Sequence, residues 1–245
     1  KIWRKKALKQ IVDAPAPARV LDLAWGTGDF SIAIAKALSR SHKRVGTPIE
    51  AHVKAPAKAP VEAQVTSTGF VTGDSGRSDL MTKGHVTGVD LSEGMLAVMR
   101  EKVQKSGLTE MISIEEGDGE NLRFPDNTFD RVTIAFGIRN FENREKGLRE
   151  MLRVLKPGGR LVILELSRPE NKIIRWFYDL YFLHILPKIG GKVSGDKAAY
   201  AYLPASVAAF PGKKAFMATM REAGFRTVTH KAFTLGICRM YTGEK

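Results

Sequence analysis

Apolar residues along this chain fall into two kinds of run: short contiguous clusters, and stretches that recur every three to four positions. The first cluster, Val20-Leu21-Asp22-Leu23, passes through Ala24-Trp25-Gly26-Thr27-Gly28-Asp29 into Phe30, Ile32, Ile34, Ala35 and Leu38. That order predicts a buried strand, a tight turn and an amphipathic helix reaching about Leu38. His85–Asp90 repeats the strand, and Ser92 is placed to cap a helix running to about Lys105. Residues 111–115, 129–136 and 160–167 read as three further strands. Between the last two, residues 145–155 read as a helix with Leu148, Met151, Leu152 and Leu155 on one face, stopped by Pro157-Gly158-Gly159. Strands alternating with helices predict an α/β fold, a doubly wound and mostly parallel sheet with ligands at the carboxyl ends of its strands.

The flanks break this rhythm. Residues 1–11 form a basic helical fragment closed by Pro15 and Pro17. Residues 39–84 are rich in Ala, Pro, Lys, Val, Thr and Gly and have no period, which predicts a flexible surface insertion within one domain spanning 1–245. Residues 171–186 (NKIIRWFYDLYFLHIL) are aromatic and aliphatic nearly all round, up to Pro187. They suit either a packing helix or, with the rest of 168–210, a helical cover over an apolar substrate. Residues 198–210 and 213–223 look helical. Residues 225–231 and 233–241 alternate, predicting a terminal antiparallel strand pair joined near Phe233 and Thr234.

Composition narrows the classes. The 245 residues are 43% hydrophobic, and no apolar run approaches the length that spans a bilayer. The single cysteine, Cys238, cannot form an internal disulfide and fits a reducing, cytoplasmic setting. The chain starts at Lys1 rather than Met, so a longer parent is expected. The net charge of +13 is unevenly spread: +5 over residues 1–19, +8 over 168–245 and −2 over 86–167. Basic flanks suit transient contact with an anionic membrane surface, or a solubilising charge, or a weak RNA footprint. The sequence has no aromatic RNA-binding platform, so no nucleic acid is expected, and no His/Cys/acid cluster suggests a metal.

The glycine turn carries the chemistry. Its small residues, Ala24, Gly26 and Gly28, fall two apart, whereas a dinucleotide turn spaces its glycines to seat a pyrophosphate. An acid such as Asp22 beside the turn is a poor neighbour for a diphosphate and suits a cation. The D-x-(G/A)-x-G-x-G order resembles the first motif of class I methyltransferases, which use S-adenosylmethionine; Trp25 departs from it, standing where related proteins have a small residue. Three further stretches extend the likeness: Asp90 closing the second strand, GDGENLRFPDNTFDRVTIAFGIRNF at 117–141, and RVLKPGGRLVILELS at 153–167. Together, and with the tail from YFLHILPKIGG to GICRMYTGEK, they resemble the ubiquinone/menaquinone biosynthesis C-methyltransferases, above all the demethylmenaquinone methyltransferase branch. That family has some fifty further residues before this start, including a Tyr-Asp pair near the substrate.

The resemblance implies a site and a reaction. Asp22, Gly26, Thr27 and Gly28 would hold the methionine end of the cofactor. Asp90 would accept from both ribose hydroxyls, since a carboxylate offers two acceptor oxygens. Asp118 and Gly119 would flank the adenine, and Ala135 would face the cofactor from the fourth strand. The implied reaction moves a methyl from sulfonium to a ring carbon of a prenylated quinol, demethylmenaquinol to menaquinol, with Arg139 and Asn140 organising the proton acceptor. Arginine cannot be the base itself. His184 is a weaker base candidate. Other readings are a binder of the cofactor without turnover, or a methyltransferase acting on another aromatic, lipid or RNA substrate. A homodimer is a further expectation.

Overall fold

The computed structural model describes residues 2–15, 17–24, 26–45, 84–185 and 197–245. Its centre is a seven-stranded sheet built from β1 (Arg19–Leu23), β2 (His85–Asp90), β3 (Ile112–Glu116), β4 (Phe129–Ala135), β5 (Leu155–Leu166), β6 (Arg226–Phe233) and β7 (Cys238–Glu244). The spatial order is β3-β2-β1-β4-β5-β7-β6. β1 to β5 run parallel, and β7 lies antiparallel to both β5 and β6. The order reverses at β1, which pairs with β2 on one side and β4 on the other. At such a switch point the connections leave in opposite directions and open a crevice at the carboxyl ends.

Helices cover both faces: α1 (Ile2–Ile11), α2 (Asp29–Val45), α3 (Glu93–Lys105), α4 (Arg144–Val154), α5 (Lys172–Asp179), α6 (Lys197–Ala209) and α7 (Lys213–Glu222). Strand alternation divides the core accordingly. Val162 and Leu164 of β5 point into the cluster with Ile11, Ile34 and Met99, while Leu161 and Ile163 point into the one with Leu148, Met151 and Phe216. The sequence starts three of the helices with a side-chain acceptor. Ser92 Oγ accepts from Met95 N at 3.4 Å, Asn143 Oδ1 from Lys146 N at 2.9 Å, and Asn171 Oδ1 from Ile173 N at 2.9 Å.

Four boundaries differ from the sequence expectation. α2 runs past Leu38 to Val45, taking the first residues of the expected insertion; residues 46–83, and Trp25, lie outside the described residues. Pro157-Gly158-Gly159 falls within β5, which begins at Leu155 opposite Phe129 and is shifted in register before Arg160 meets Arg131. Gly158, at φ +74°, and Gly159 exchange backbone bonds with Lys245, so the glycines form a bulge against the chain's last residue. The aromatic stretch is α-helical only to Asp179 and continues as a π-helical segment, Leu180–Ile185; Pro187 and the side chain of His184 lie outside the described residues. The terminal hairpin turns at Thr234–Gly236 rather than at Phe233 and Thr234, with Leu235 at φ 58° and Gly236 at φ 91°.

Candidate active site

The crevice at the switch point is a cleft of about 550 Å³ walled by the loops after β1, β2, β3 and β4. Two residues with left-handed backbone stand at its mouth. Ala24 (φ 49°) and Phe136 (φ 64°) end β1 and β4 in the left-handed region, a conformation that costs a non-glycine residue about 1–2 kcal/mol. Both turn the chain sharply away from the sheet. Gly137 follows Phe136 because nothing larger fits: a Cβ there would lie 2.2 Å from the Ala24 methyl.

Asp90 ties the glycine turn to the end of β2. Its Oδ2 accepts from Gly26 N at 3.1 Å and its Oδ1 from Ser92 N at 2.9 Å. Each oxygen keeps a further lone pair for a ligand in the cleft. On the β3 side, Asp118 Oδ1 accepts from Glu120 N at 2.8 Å and holds the tight turn that carries Gly119. A Cβ on Gly119 would meet the Phe141 ring at 2.6 Å, and one on Gly147 would meet the same ring at 2.5 Å. Two glycines far apart in sequence therefore seat one aromatic wall of the cleft. Neither was linked to Phe141 by any local pattern.

Of the residues expected at the site, Gly26, Asp90, Asp118, Gly119 and Asn140 line this cleft. Asp22, Thr27, Gly28, Ala135 and Arg139 are not among its wall residues. Asp22 is 1% exposed and takes a short hydrogen bond from Ser31 Oγ in α2, beneath the turn. Burial pushes its carboxyl up to about 7, against the opposing pull of Ser31 and the more distant Arg4. Thr27 Oγ1 donates to Asp29 Oδ2 at 3.1 Å, and Asp29 is held in turn by Lys102 at 2.9 Å. Gly28 faces α3, where a Cβ would stand 2.8 Å from Met99 Cγ. Thr27 and Gly28 thus shape the turn from behind.

Arg139 points inward. Its Nη1 pairs with Glu165 Oε1 at 3.0 Å and also donates to the carbonyl of Phe136, and its Nε donates to Ser206 Oγ of α6 at 3.3 Å. Glu165 is fully buried and also accepts from the backbone N–H groups of Arg139 and Leu166. Burial raises the Glu165 pKa, and Arg139 is the largest opposing influence. The pair locks the short 3₁₀ turn Ile138–Asn140 against β5 and α6. Asn140 then faces the cleft, its Oδ1 accepting from Tyr202 of α6 at 2.9 Å. Tyr202, Phe141 and Leu91 are site residues the sequence did not single out.

The wall chemistry fits an unphosphorylated nucleoside. It combines the carboxylates of Asp90 and Asp118 with apolar plates at Leu91, Met95 and Phe141, and no basic side chain is among the described wall residues. The profile of the ubiE/COQ5 methyltransferase family matches residues 1–245. The chain belongs to this family. A ubiquinone/menaquinone biosynthesis C-methyltransferase of Geobacter sulfurreducens is 43% identical over 243 residues, covering 99% of this chain and 78% of the relative. A demethylmenaquinone methyltransferase of Bacteroides fragilis is 37% identical over 243 residues, covering 99% and 81%. Among solved structures, a SAM-dependent methyltransferase of Aquifex aeolicus superposes with a TM-score of 0.58 at 19% identity, covering 98% of this chain and 88% of that one, which shows the fold. This ubiE/COQ5 family member is an S-adenosylmethionine-dependent methyltransferase. The cofactor supplies a sulfonium-bound, electrophilic methyl group. Bound in this cleft, it would meet Asp90, Asp118, Gly119, Phe141 and the Gly26 turn, which together form its wall. Among the described residues, no helix is long and apolar enough to cross a membrane.

Proposed function

We propose that this methyltransferase acts in quinone biosynthesis and methylates a ring carbon of a prenylated naphthoquinol, demethylmenaquinol, drawn from the membrane. The observation that carries this is the likeness at 37–43% identity, over 243 residues, to enzymes named for quinone C-methylation. A quinol ring carbon is a weak nucleophile until a ring hydroxyl loses its proton and pushes charge into the ring. The protein must therefore hold that oxygen as it turns anionic and keep the carbon in line with the methyl. Asn140, on the cleft wall with the Tyr202 hydroxyl against its amide oxygen, is our choice for the group that holds it. Arg139 acts one layer behind, as a positioning residue. Its bonds to Glu165, Phe136 O and Ser206 fix the turn that presents Asn140.

The test is methyl transfer from labelled S-adenosylmethionine to short-chain demethylmenaquinol, beside the matching benzoquinol of the ubiquinone route. Label in the naphthoquinol product, with a kcat/KM at least tenfold above the benzoquinol, is expected. Transfer to the benzoquinol alone, or cofactor binding with no transfer to either, would overturn the assignment.

A further inference from the structure

Arg239 of β7 is 4% exposed. A guanidinium carries five N–H donors and keeps its charge, and buried donors are ordinarily paired. Among the described residues, however, the Arg239 side chain makes no hydrogen bond, and its one ionic partner is Glu170 Oε1 at 3.4 Å. The guanidinium opens instead on a polar cavity of about 210 Å³. Four elements meet Arg239 there: the link after β5, the start of α5, the end of α6 and the start of α7.

The charges in this cavity do not balance. Arg168 is neutralised by both oxygens of Asp179. Arg175 is fixed by its Nε on the carbonyl of Pro169 at 2.8 Å and its Nη2 on that of Glu170 at 3.3 Å, which leaves Nη1 without a partner among the described residues. Lys213 Nζ shares the Glu170 carboxylate with Arg239, at 2.8 Å. Three cations, Arg175, Lys213 and Arg239, therefore face the single carboxylate of Glu170, an excess of two positive charges. The excess reaches His230, whose pKa is lowered first by burial and then by Arg239 and Lys213, with Glu170 opposing. α7 adds to it: Gly212 at its N-cap has no side chain to accept from the first amides, and a helix N-terminus carries partial positive charge. The remaining wall is apolar, made by Ala208, Phe210 and Pro211.

We propose that this cavity binds a small soluble phosphate monoester, its phosphate held by Arg175, Lys213 and Arg239 and its carbon part lying against the apolar wall. Near pH 7 such a phosphate carries about −1.5 to −2 charge and three strong acceptor oxygens. That matches the uncompensated charge, and guanidinium forks take phosphate oxygens in pairs. The cleft selects the opposite kind of ligand, since no basic side chain is among its described wall residues. The bound monoester would tie the end of α6 to β7 and the start of α7. α6 also holds Tyr202 against Asn140 and Ser206 against Arg139, so occupancy steadies the helix that frames the cleft's 3₁₀ turn. The proposal goes beyond the quinol assignment and is tested without any quinol.

The experiment is calorimetric titration of the full chain with glycerol 3-phosphate, inorganic phosphate or sodium chloride at constant ionic strength, with and without saturating S-adenosylmethionine. Expected is one molecule of glycerol 3-phosphate bound per chain with a dissociation constant below about 1 mM, weaker binding of inorganic phosphate, and no effect of S-adenosylmethionine. Arg175→Gln and Lys213→Gln, at half-buried positions, should each weaken binding about tenfold or more, the loss of one charge-assisted hydrogen bond. Arg239→Gln should do the same; should it fail to fold, the other two variants carry the test. Glu170→Gln should act in the opposite direction and tighten binding, because the phosphate then has the three cations to itself. A merely structural salt bridge would lower the melting temperature in Glu170→Gln without that gain. The His230 pKa, read by NMR, should rise when the monoester binds, as its charge offsets Arg239 and Lys213. Heats no larger than those of sodium chloride would overturn the proposal, as would binding untouched by Arg175→Gln/Lys213→Gln or weakened by Glu170→Gln. Competition with S-adenosylmethionine would refute the site by moving the ligand to the cleft, and inorganic phosphate binding the tighter would refute the monoester. Each of these outcomes leaves the quinol assignment where the methyl-transfer assay puts it.

Discussion

Replacing Arg139 by methionine separates a group that works in the cleft from one that holds the cleft's frame. Arg139→Met keeps most of the side-chain volume but strands the Glu165 carboxylate, which is fully buried and would retain only the backbone N–H groups of Arg139 and Leu166. Removing one partner of a buried ion pair costs about 3–5 kcal/mol, because the other charge stays desolvated. For a chain of this length each kcal/mol moves the melting temperature by about 2–4 °C, so a fall of roughly 6–20 °C is expected. The loss should shrink below neutral pH. Burial already raises the Glu165 pKa, and with its main counterweight gone the carboxyl can take a proton and become neutral. Arg139→Met/Glu165→Gln should recover much of the stability, since the two charges vanish together. Melts by circular dichroism across pH 5–8, with turnover measured well below the transition, decide the matter. A melting temperature within 2 °C of wild type, with turnover down a hundredfold or more, would refute this reasoning and put the guanidinium among the reacting atoms.

Asp90→Ala removes the acceptor shared by Gly26 N and Ser92 N, which is also the acceptor expected for the ribose. Losing a charged acceptor costs about 1.5–3 kcal/mol, so calorimetry should show S-adenosylmethionine binding weakened roughly ten- to a hundredfold; an unchanged dissociation constant removes Asp90 from the ribose site. Gly137→Ala should destabilise by about 1–3 kcal/mol and weaken cofactor binding, because its methyl overlaps that of Ala24 at 2.2 Å. Adding Ala24→Gly, at a backbone position with φ 49° where glycine is at ease, should restore both. Failure of the second change to rescue the first would show that the contact is not what Gly137 serves.

What the sequence disclosed was whatever one segment carries alone. The strand-turn-helix at 20–38, the acid ending β2 and the parallel order of strands are local patterns read against known geometry, and Gly26, Asp90, Asp118, Gly119 and Asn140 all reached the cleft wall. Contacts made across the fold were not legible. Phe141 packs on Gly119 and Gly147 because of how the loop after β3 and the start of α4 meet around it, and no period in the chain encodes that. Arg139 was read toward the substrate, but a fully buried carboxylate 26 residues later and the left-handed backbone at Phe136 turn it inward. The exposed stripe Ile173, Trp176, Phe177, Leu180 and Tyr181, along α5 and the turn that follows it, shows a different limit. Apolar spacing reveals that a helix has two faces, but the same spacing serves whether the apolar face meets a core or the surface.

Asp22 shows how a motif residue can act without touching the cleft. The carboxyl is buried below the glycine turn against Ser31 and the first turns of α2, and burial lifts its pKa from 3.8 to about 7. The sign follows from proton counting. Between about pH 4 and pH 7 the folded protein keeps a proton on Asp22 that the unfolded chain has released, so stability falls as pH rises through this window. Above the folded pKa both states are ionised and the slope ends. At about 1.4 kcal/mol per unit, the carboxyl's contribution declines by roughly 4 kcal/mol across the window. Asp22→Asn replaces the neutral acid by a neutral amide of the same shape. It should match wild-type stability near pH 4.5 and exceed it progressively up to pH 7.5, with the two curves parallel beyond. Urea unfolding of both proteins at half-unit pH steps isolates this group, because every other titration is common to the pair. Parallel curves throughout the window would show that Asp22 is already ionised in the folded protein, held by something stronger than the Ser31 hydroxyl.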